Sequence, residues 1–181
     1  MPSRIPVFDL DGTLIDSDEA LVQPFLELGI AREDITFGLP AEQACVELGL
    51  SIDDYVRLYD EDVVQPFDGV EDLVGRLGRW AVCSNKHPKS AAGELARLGW
   101  RPEVALFTDA FEGRPKELGP VLELLDLGPD DVVFVGDTDH DRRCAEAVGA
   151  AFAWAAWNPR CAARSPEGIV LRRPSEVLEL L

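Results

Sequence analysis

The chain has 181 residues, enough for one substantial core or a core with a small insert. With 17 basic against 34 acidic residues its formal net charge is −17, which excludes binding nucleic acid or anionic membranes through long-range attraction. Hydrophobic residues make up 46% and charged residues 28%, an ordinary globular balance, and no apolar run reaches the ~20 residues of a membrane span.

Met1-Pro2-Ser3-Arg4 leads straight into an apolar run without the pattern of a signal peptide, so a cytoplasmic protein is expected. Ile5–Phe8 is predicted to be a strand, although Pro6 removes a ladder donor from it. Asp9-Leu10-Asp11-Gly12-Thr13 follows. Acids at i and i+2 of an extended chain face the same side. Two carboxylates that close resist ionising together unless a cation or a proton compensates. The pair therefore offers a nucleophile, an acid/base and a metal ligand in one turn. Gly12 permits the tight turn, and Thr13 can hydrogen-bond locally.

From about Leu14 to Pro66 the pattern is helical, with no strand expected. Val22, Phe25, Leu26 and Gly29 have helical spacing, and Glu42–Leu48 and Asp53–Val64 read as two further helices, punctuated by Phe37-Gly38-Leu39-Pro40. Beyond it, apolar runs at Trp80–Cys83, Ala105–Thr108, Val132–Val135, Ala151–Ala155 and Ile169–Leu171 alternate with helical stretches. Those stretches are Val70–Leu77, Pro88–Leu98, Lys116–Leu125 and Asp139–Val148. Alternation of this kind predicts βαβ units and a mostly parallel sheet. Cys45, Cys83, Cys144 and Cys161 form no C-x-x-C pair and no zinc spacing, and are expected to pack as small unpaired hydrophobes. Trp80, Trp100, Trp154 and Trp157 are expected in the core or at strand edges.

Three polar segments lie just past predicted strands. Ser84-Asn85-Lys86-His87 opens a helix and could bind an anion, or merely cap. Arg114-Pro115-Lys116 sets a cation at a predicted helix start, where the helix dipole disfavours it. Gly136-Asp137-Thr138-Asp139-His140-Asp141 holds more acids than capping by Asp137 or Asp139 requires. Its oxygen ligands suit Mg²⁺ better than zinc. His140 points off the Asp137/Asp141 face and is not assigned as a ligand.

Taken in order, Asp-x-Asp-Gly-Thr, Ser, Lys and Gly-Asp-x-x-x-Asp resemble the haloacid dehalogenase superfamily over the whole chain. Asp16-Ser17 and Ser84-Asn85-Lys86 look most like its phosphoglycolate phosphatase-like branch. The resemblance implies a three-layer, Rossmann-like α/β core from residues 1–14 and 67–181, with a small α-helical cap, residues 15–66, inserted after the first strand. It implies Asp9 as the nucleophile and Asp11 as the acid/base. Mg²⁺ would be held by Asp9, the Asp11 carbonyl and Asp137, the phosphate by Ser84, Asn85 and Lys116, with Thr13 and Asp141 in support. The partner is then a small phosphate ester, with no nucleic acid and no membrane. Two departures stand out: Lys116 lacks the usual Pro-x-Pro, which leaves Arg114 as an alternative cation, and Arg142-Arg143 follow Asp141. A phosphosugar mutase and a non-catalytic binding protein are the alternative readings. The insert offers only Arg32 and Arg57 as cations for a mutase, and a non-catalytic protein has no need of both Asp9 and Asp11.

Overall fold

Six short apolar runs pair side by side as parallel strands in the computed structural model, which describes residues 4–112 and 114–181. Met1–Ser3, ahead of the first strand, lie outside the described residues. In chain order the elements are β1 (Ile5–Phe8), β2 (Ile15–Asp16), α1 (Asp18–Glu27), α2 (Ala41–Leu48), α3 (Ile52–Leu58), β3 (Gln65–Pro66), α4 (Val70–Arg76) and β4 (Ala81–Cys83). They continue with α5 (Pro88–Leu98), β5 (Val104–Leu106), α6 (Gly119–Leu125), β6 (Val132–Gly136), α7 (Asp139–Val148), β7 (Ala151–Ala155), α8 (Pro159–Ala163) and β8 (Ile169–Leu171).

The strands lie in the order β5-β4-β1-β6-β7-β8, so the order reverses between β1 and β6. Each strand alternates its side chains between two helical layers. Phe8, Val82, Val133 and Val135 pack with α4 and α5, while Val7, Ala81, Cys83 and Phe134 pack with α6 and α7. The result is the parallel sheet expected from the alternating pattern, in the three-layer α/β arrangement that the resemblance implies.

Pro6 is tolerated for a local reason. Asp9 N–H donates to the Val135 carbonyl at 2.9 Å, so odd residues of β1 face β6 and even residues face β4. The β1–β4 ladder begins only at Val7↔Ala81. The donor that Pro6 lacks would point past the end of that ladder.

Several boundaries shift. Trp80 is buried but precedes its strand, and the next strand ends at Leu106, because β4 offers only three residues for pairing. Thr108 then opens a 3-10 turn. The helix expected over Lys116–Leu125 begins at Gly119, so Lys116 does not sit at a helix start and the dipole objection to it falls away. Asp53–Val64 is not one helix: α3 stops at Leu58, and Asp60 caps a separate 3-10 turn, Glu61–Val63. The insert is not free of strand, since β2 and β3 form an antiparallel pair, Ile15↔Pro66 and Asp16↔Gln65, where the segment leaves and rejoins the sheet. Two-residue strands are too short to carry a visible period.

The four cysteines are buried and unbridged. Among the described residues, no helix is long and apolar enough to cross a membrane. Phe8 is fully buried and meets the Trp80 ring edge-on at 6.1 Å. Phe8→Ala is expected to cost about 3–5 kcal/mol of stability, read as a lower urea midpoint with unchanged slope.

Candidate active site

The carboxyl ends of β1 and β6 flank the point where strand order reverses, which is where open parallel sheets place ligands. Asp9 leaves β1 there. Its Oδ1 accepts the Leu10 amide at 2.8 Å and meets Lys116 Nζ at 2.9 Å. Burial pushes the Asp9 carboxyl up to about 6, with Lys116 opposing the rise and Asp141 and Asp11 adding to it.

Asp137 leaves β6 one strand away. Gly12, at φ +75°, lets the first turn pass close by: a Cβ there would stand 2.6 Å from Asp137 Oδ2. Thr13 Oγ1 donates to Asp137 Oδ1 at 3.2 Å. The N-cap of α7 is Thr138, not Asp137 or Asp139, and Asp141 is its capping-box partner. Asp141 Oδ2 accepts from Thr138 N, Thr138 Oγ1 and Asp137 N at 2.8, 2.7 and 3.1 Å. Asp141 reaches back this far because Gly136 has no side chain, where a Cβ would lie 2.4 Å from that of Asp141. Lys116 Nζ stands 2.5 Å from Asp141 Oδ1. Burial raises the Asp141 carboxyl, but Lys116 and Thr138 outweigh it and hold the group below its usual range.

Asp9, Asp137 and Asp141 thus each present an oxygen, all within 4.8 Å of one another and all buried. Burial first, and then the charges of Asp141 and Asp9, push the Asp137 carboxyl well above its usual range. Three buried carboxylates, two of them facing Lys116, fit a divalent cation, and an all-oxygen set suits a hard one. The Asp11 side chain is not part of this cluster.

Asp11 is held elsewhere. Its Oδ1 accepts from Ser17 Oγ at 2.6 Å and pairs with Lys86 Nζ at 2.6 Å. Lys86, fully enclosed, also meets Glu94 Oε1 at 3.1 Å and the Tyr59 hydroxyl at 2.8 Å. Tyr59 donates to Glu94 at 2.6 Å. Ser84 lies on the cleft floor, its Oγ accepting the Lys86 amide at 3.3 Å. Asn85 spans the cleft: Oδ1 accepts the Lys116 amide at 2.7 Å, and Nδ2 donates to the Gly38 carbonyl at 3.0 Å. Arg114 is exposed and pairs with Glu112 and Glu117, so Lys116 is the cation of the site. Arg142 and Arg143 also lie outward, the former paired with Glu146.

Four participants escaped sequence reasoning. Arg160 pairs with Asp137 at 2.7 Å and with Asp18 at 2.8 Å, and Asn158 donates to the Gly12 carbonyl at 2.8 Å. Asn158-Pro159-Arg160 follows β7 as the other site segments follow their strands, and that position was the available signal. Tyr59 and Glu94 gave none, being ordinary members of helical patterns. His87 lines the cleft as the N-cap of α5, and His140 does not line it.

Burial also pushes the Glu94 carboxyl up to about 7, against the pull of Lys86. A carboxyl with a raised value binds its proton more tightly folded than unfolded. Its stabilisation is therefore full below about 4.5 and is lost as pH rises through about 7. Glu94→Gln is expected to flatten the fall of unfolding free energy across that window, measured by urea denaturation at stepped pH, with part of the slope remaining because burial raises Asp9 and Asp137 as well.

A sequence profile described as haloacid dehalogenase-like hydrolase matches residues 6–155. Among curated relatives, a phosphoglycolate phosphatase from Xylella fastidiosa is 29% identical, with 87% of this chain and 82% of that protein covered. The pyrophosphatase PpaX of Bacillus cereus is 27% identical, with 83% and 82% covered. Among solved structures, a hydrolase from Pseudomonas syringae superposes with a TM-score of 0.76 at 16% identity, covering 98% of this chain and 97% of that one. A haloacid dehalogenase-like hydrolase from Streptococcus pneumoniae gives 0.72 at 22% identity, with 98% of each chain covered. With the carboxylate cluster, the lysine and the strand order all in their places, the chain belongs to the haloacid dehalogenase-like hydrolases.

Proposed function

We propose that the chain is a Mg²⁺-dependent phosphatase that hydrolyses a small phosphate monoester through a phosphorylated Asp9. The observation that carries this reading is Asp9 itself: a buried carboxylate gripped on one oxygen by Lys116, facing Asp137 and Asp141, with Asp11 two residues on. The relatives named phosphoglycolate phosphatase and pyrophosphatase support a phosphoryl substrate.

Mg²⁺, held by Asp9, Asp137 and the Asp11 carbonyl, would supply positive charge beside the phosphoryl oxygens. Asp9 attacks phosphorus with one carboxylate oxygen as the ester P–O bond breaks. Asp11 gives its proton to the departing alkoxide. In the second half Asp11 takes a proton from water, whose oxygen attacks phosphorus, releasing inorganic phosphate and restoring Asp9. Lys116, the Ser84 hydroxyl and the Asn85 amide hold the transferring oxygens, and the Asn85 side chain fixes the backbone of Lys116. Asp141 orients Lys116, and Thr13 orients Asp137.

Residues 15–66 act as a cap over this site. Leu21, Phe25, Ile35, Phe37 and Tyr55 from that segment line the same cleft as Asp9 and Lys116. Its two arginines favour hydrolysis over a mutase. Arg32 and Arg57 are exposed and paired with Glu19 and Asp54, so the cap brings no arginine to bind a phosphosugar intermediate.

Phosphate release from p-nitrophenyl phosphate is expected with Mg²⁺ and to stop with EDTA. Asp9→Asn should lower kcat at least about a thousandfold, and Lys116→Met by about a hundredfold or more. No turnover of any phosphate ester would refute the phosphatase. Mg²⁺ should also raise the melting temperature of the wild type. Asp137→Asn should abolish that Mg²⁺ effect, because it removes a ligand.

A further inference from the structure

We propose that the cleft takes the phosphate monoester of an uncharged alcohol bearing a small aromatic ring. This inference rests on the phosphatase reading above and specifies its leaving group.

The wall facing Asp9 is apolar and rich in rings. Leu21, Phe25, Ile35, Phe37, Leu39 and Tyr55 line it, all from the helical segment. Phe25 and Tyr55 stand with centroids 4.7 Å apart and planes tilted by 46°, and Tyr59 lies 6.4 Å beyond Tyr55. Tilted and offset contacts of this kind are the ones a further ring joins favourably. An aliphatic wall would suit any apolar group, whereas a row of rings favours another ring.

Every lysine and arginine lining the cleft is already committed. Lys116 serves Asp9 and Asp141, and Lys86 serves Asp11 and Glu94. Arg160 serves Asp18 and Asp137, and its guanidinium lies 4.5 Å over the Phe37 ring. The phosphoryl group meets Lys116 at the floor. A second anion on the leaving group would have to break one of the other pairs and expose its acid. It would also meet Asp18, which lines the same cleft. His87 is engaged as a helix cap, its Nδ1 accepting the Lys89 amide at 3.3 Å.

Glycolate carries a carboxylate and pyrophosphate a second phosphoryl group, so both present the charge that this wall does not receive. The chain therefore departs from the relatives it matches at the leaving-group end of the cleft and not at the phosphoryl end. Specificity of this form comes from an unmatched charge as much as from an attractive surface.

The test compares kcat/KM for benzyl phosphate, 2-phosphoglycolate and pyrophosphate with Mg²⁺ present. Benzyl alcohol and glycolate both leave as alkoxides that need the Asp11 proton, so their comparison reads the wall. Benzyl phosphate should exceed both others by about tenfold or more, chiefly through KM. Leu39→Lys, which sets an uncommitted cation in the wall, should narrow the gap to 2-phosphoglycolate by about tenfold. Equal or faster turnover of 2-phosphoglycolate or pyrophosphate by the wild type overturns the leaving-group assignment and leaves the phosphatase standing. Failure to hydrolyse these esters and p-nitrophenyl phosphate overturns both.

Discussion

Three carboxylates share a buried space at the ends of two adjacent strands, and one lysine faces two of them. That imbalance is the constraint around which the rest is arranged. Asp9, Asp137 and Asp141 could not approach so closely without Gly12 and Gly136, whose missing side chains leave room for Asp137 and Asp141. Nor could Asp9 and Asp141 stay charged without Lys116, which a helix beginning only at Gly119 leaves in an irregular stretch with its ammonium at the cluster. The remaining negative charge is what makes the site receptive to a metal and, through it, to a phosphoryl group.

The neighbouring cations obey the same rule on a smaller scale. Lys86 neutralises Asp11 and Glu94, and Arg160 neutralises Asp18 and Asp137. Each positive group is absorbed by an acid within reach. A chain with a net charge of −17 therefore keeps its local balance without creating a broadly basic cleft. Attraction for substrate is confined to the phosphoryl end, and the rest of the cleft is left to apolar contact.

The sheet was legible because its signal is long. Six apolar runs at helical intervals allow few arrangements, and each run became a strand within a residue or two. The site residues were legible for a related reason: Asp9, Ser84, Lys116 and Asp137 all follow strands, and parallel strands deliver their ends to one edge. What stayed hidden depends on contacts far apart in sequence. Nothing near Tyr59 or Glu94 announces that they meet over Lys86, and Arg160 resembles any arginine early in a short helix. The 3-10 break after Leu58 and the late start of α6 were invisible because turn chemistry there competed with helical spacing.

The small ladder joining Ile15–Asp16 to Gln65–Pro66 has a kinetic meaning as well as a structural one. β1 must find β4 across more than sixty intervening residues, a long loop whose closure costs entropy. Once the ladder forms, the helical segment becomes a closed excursion and the effective separation between the two strands shrinks to the few turns on either side. The segment can then vary in length or sequence with little effect on how readily the sheet assembles. A scaffold organised in this way can change what it recognises while its folding route stays the same.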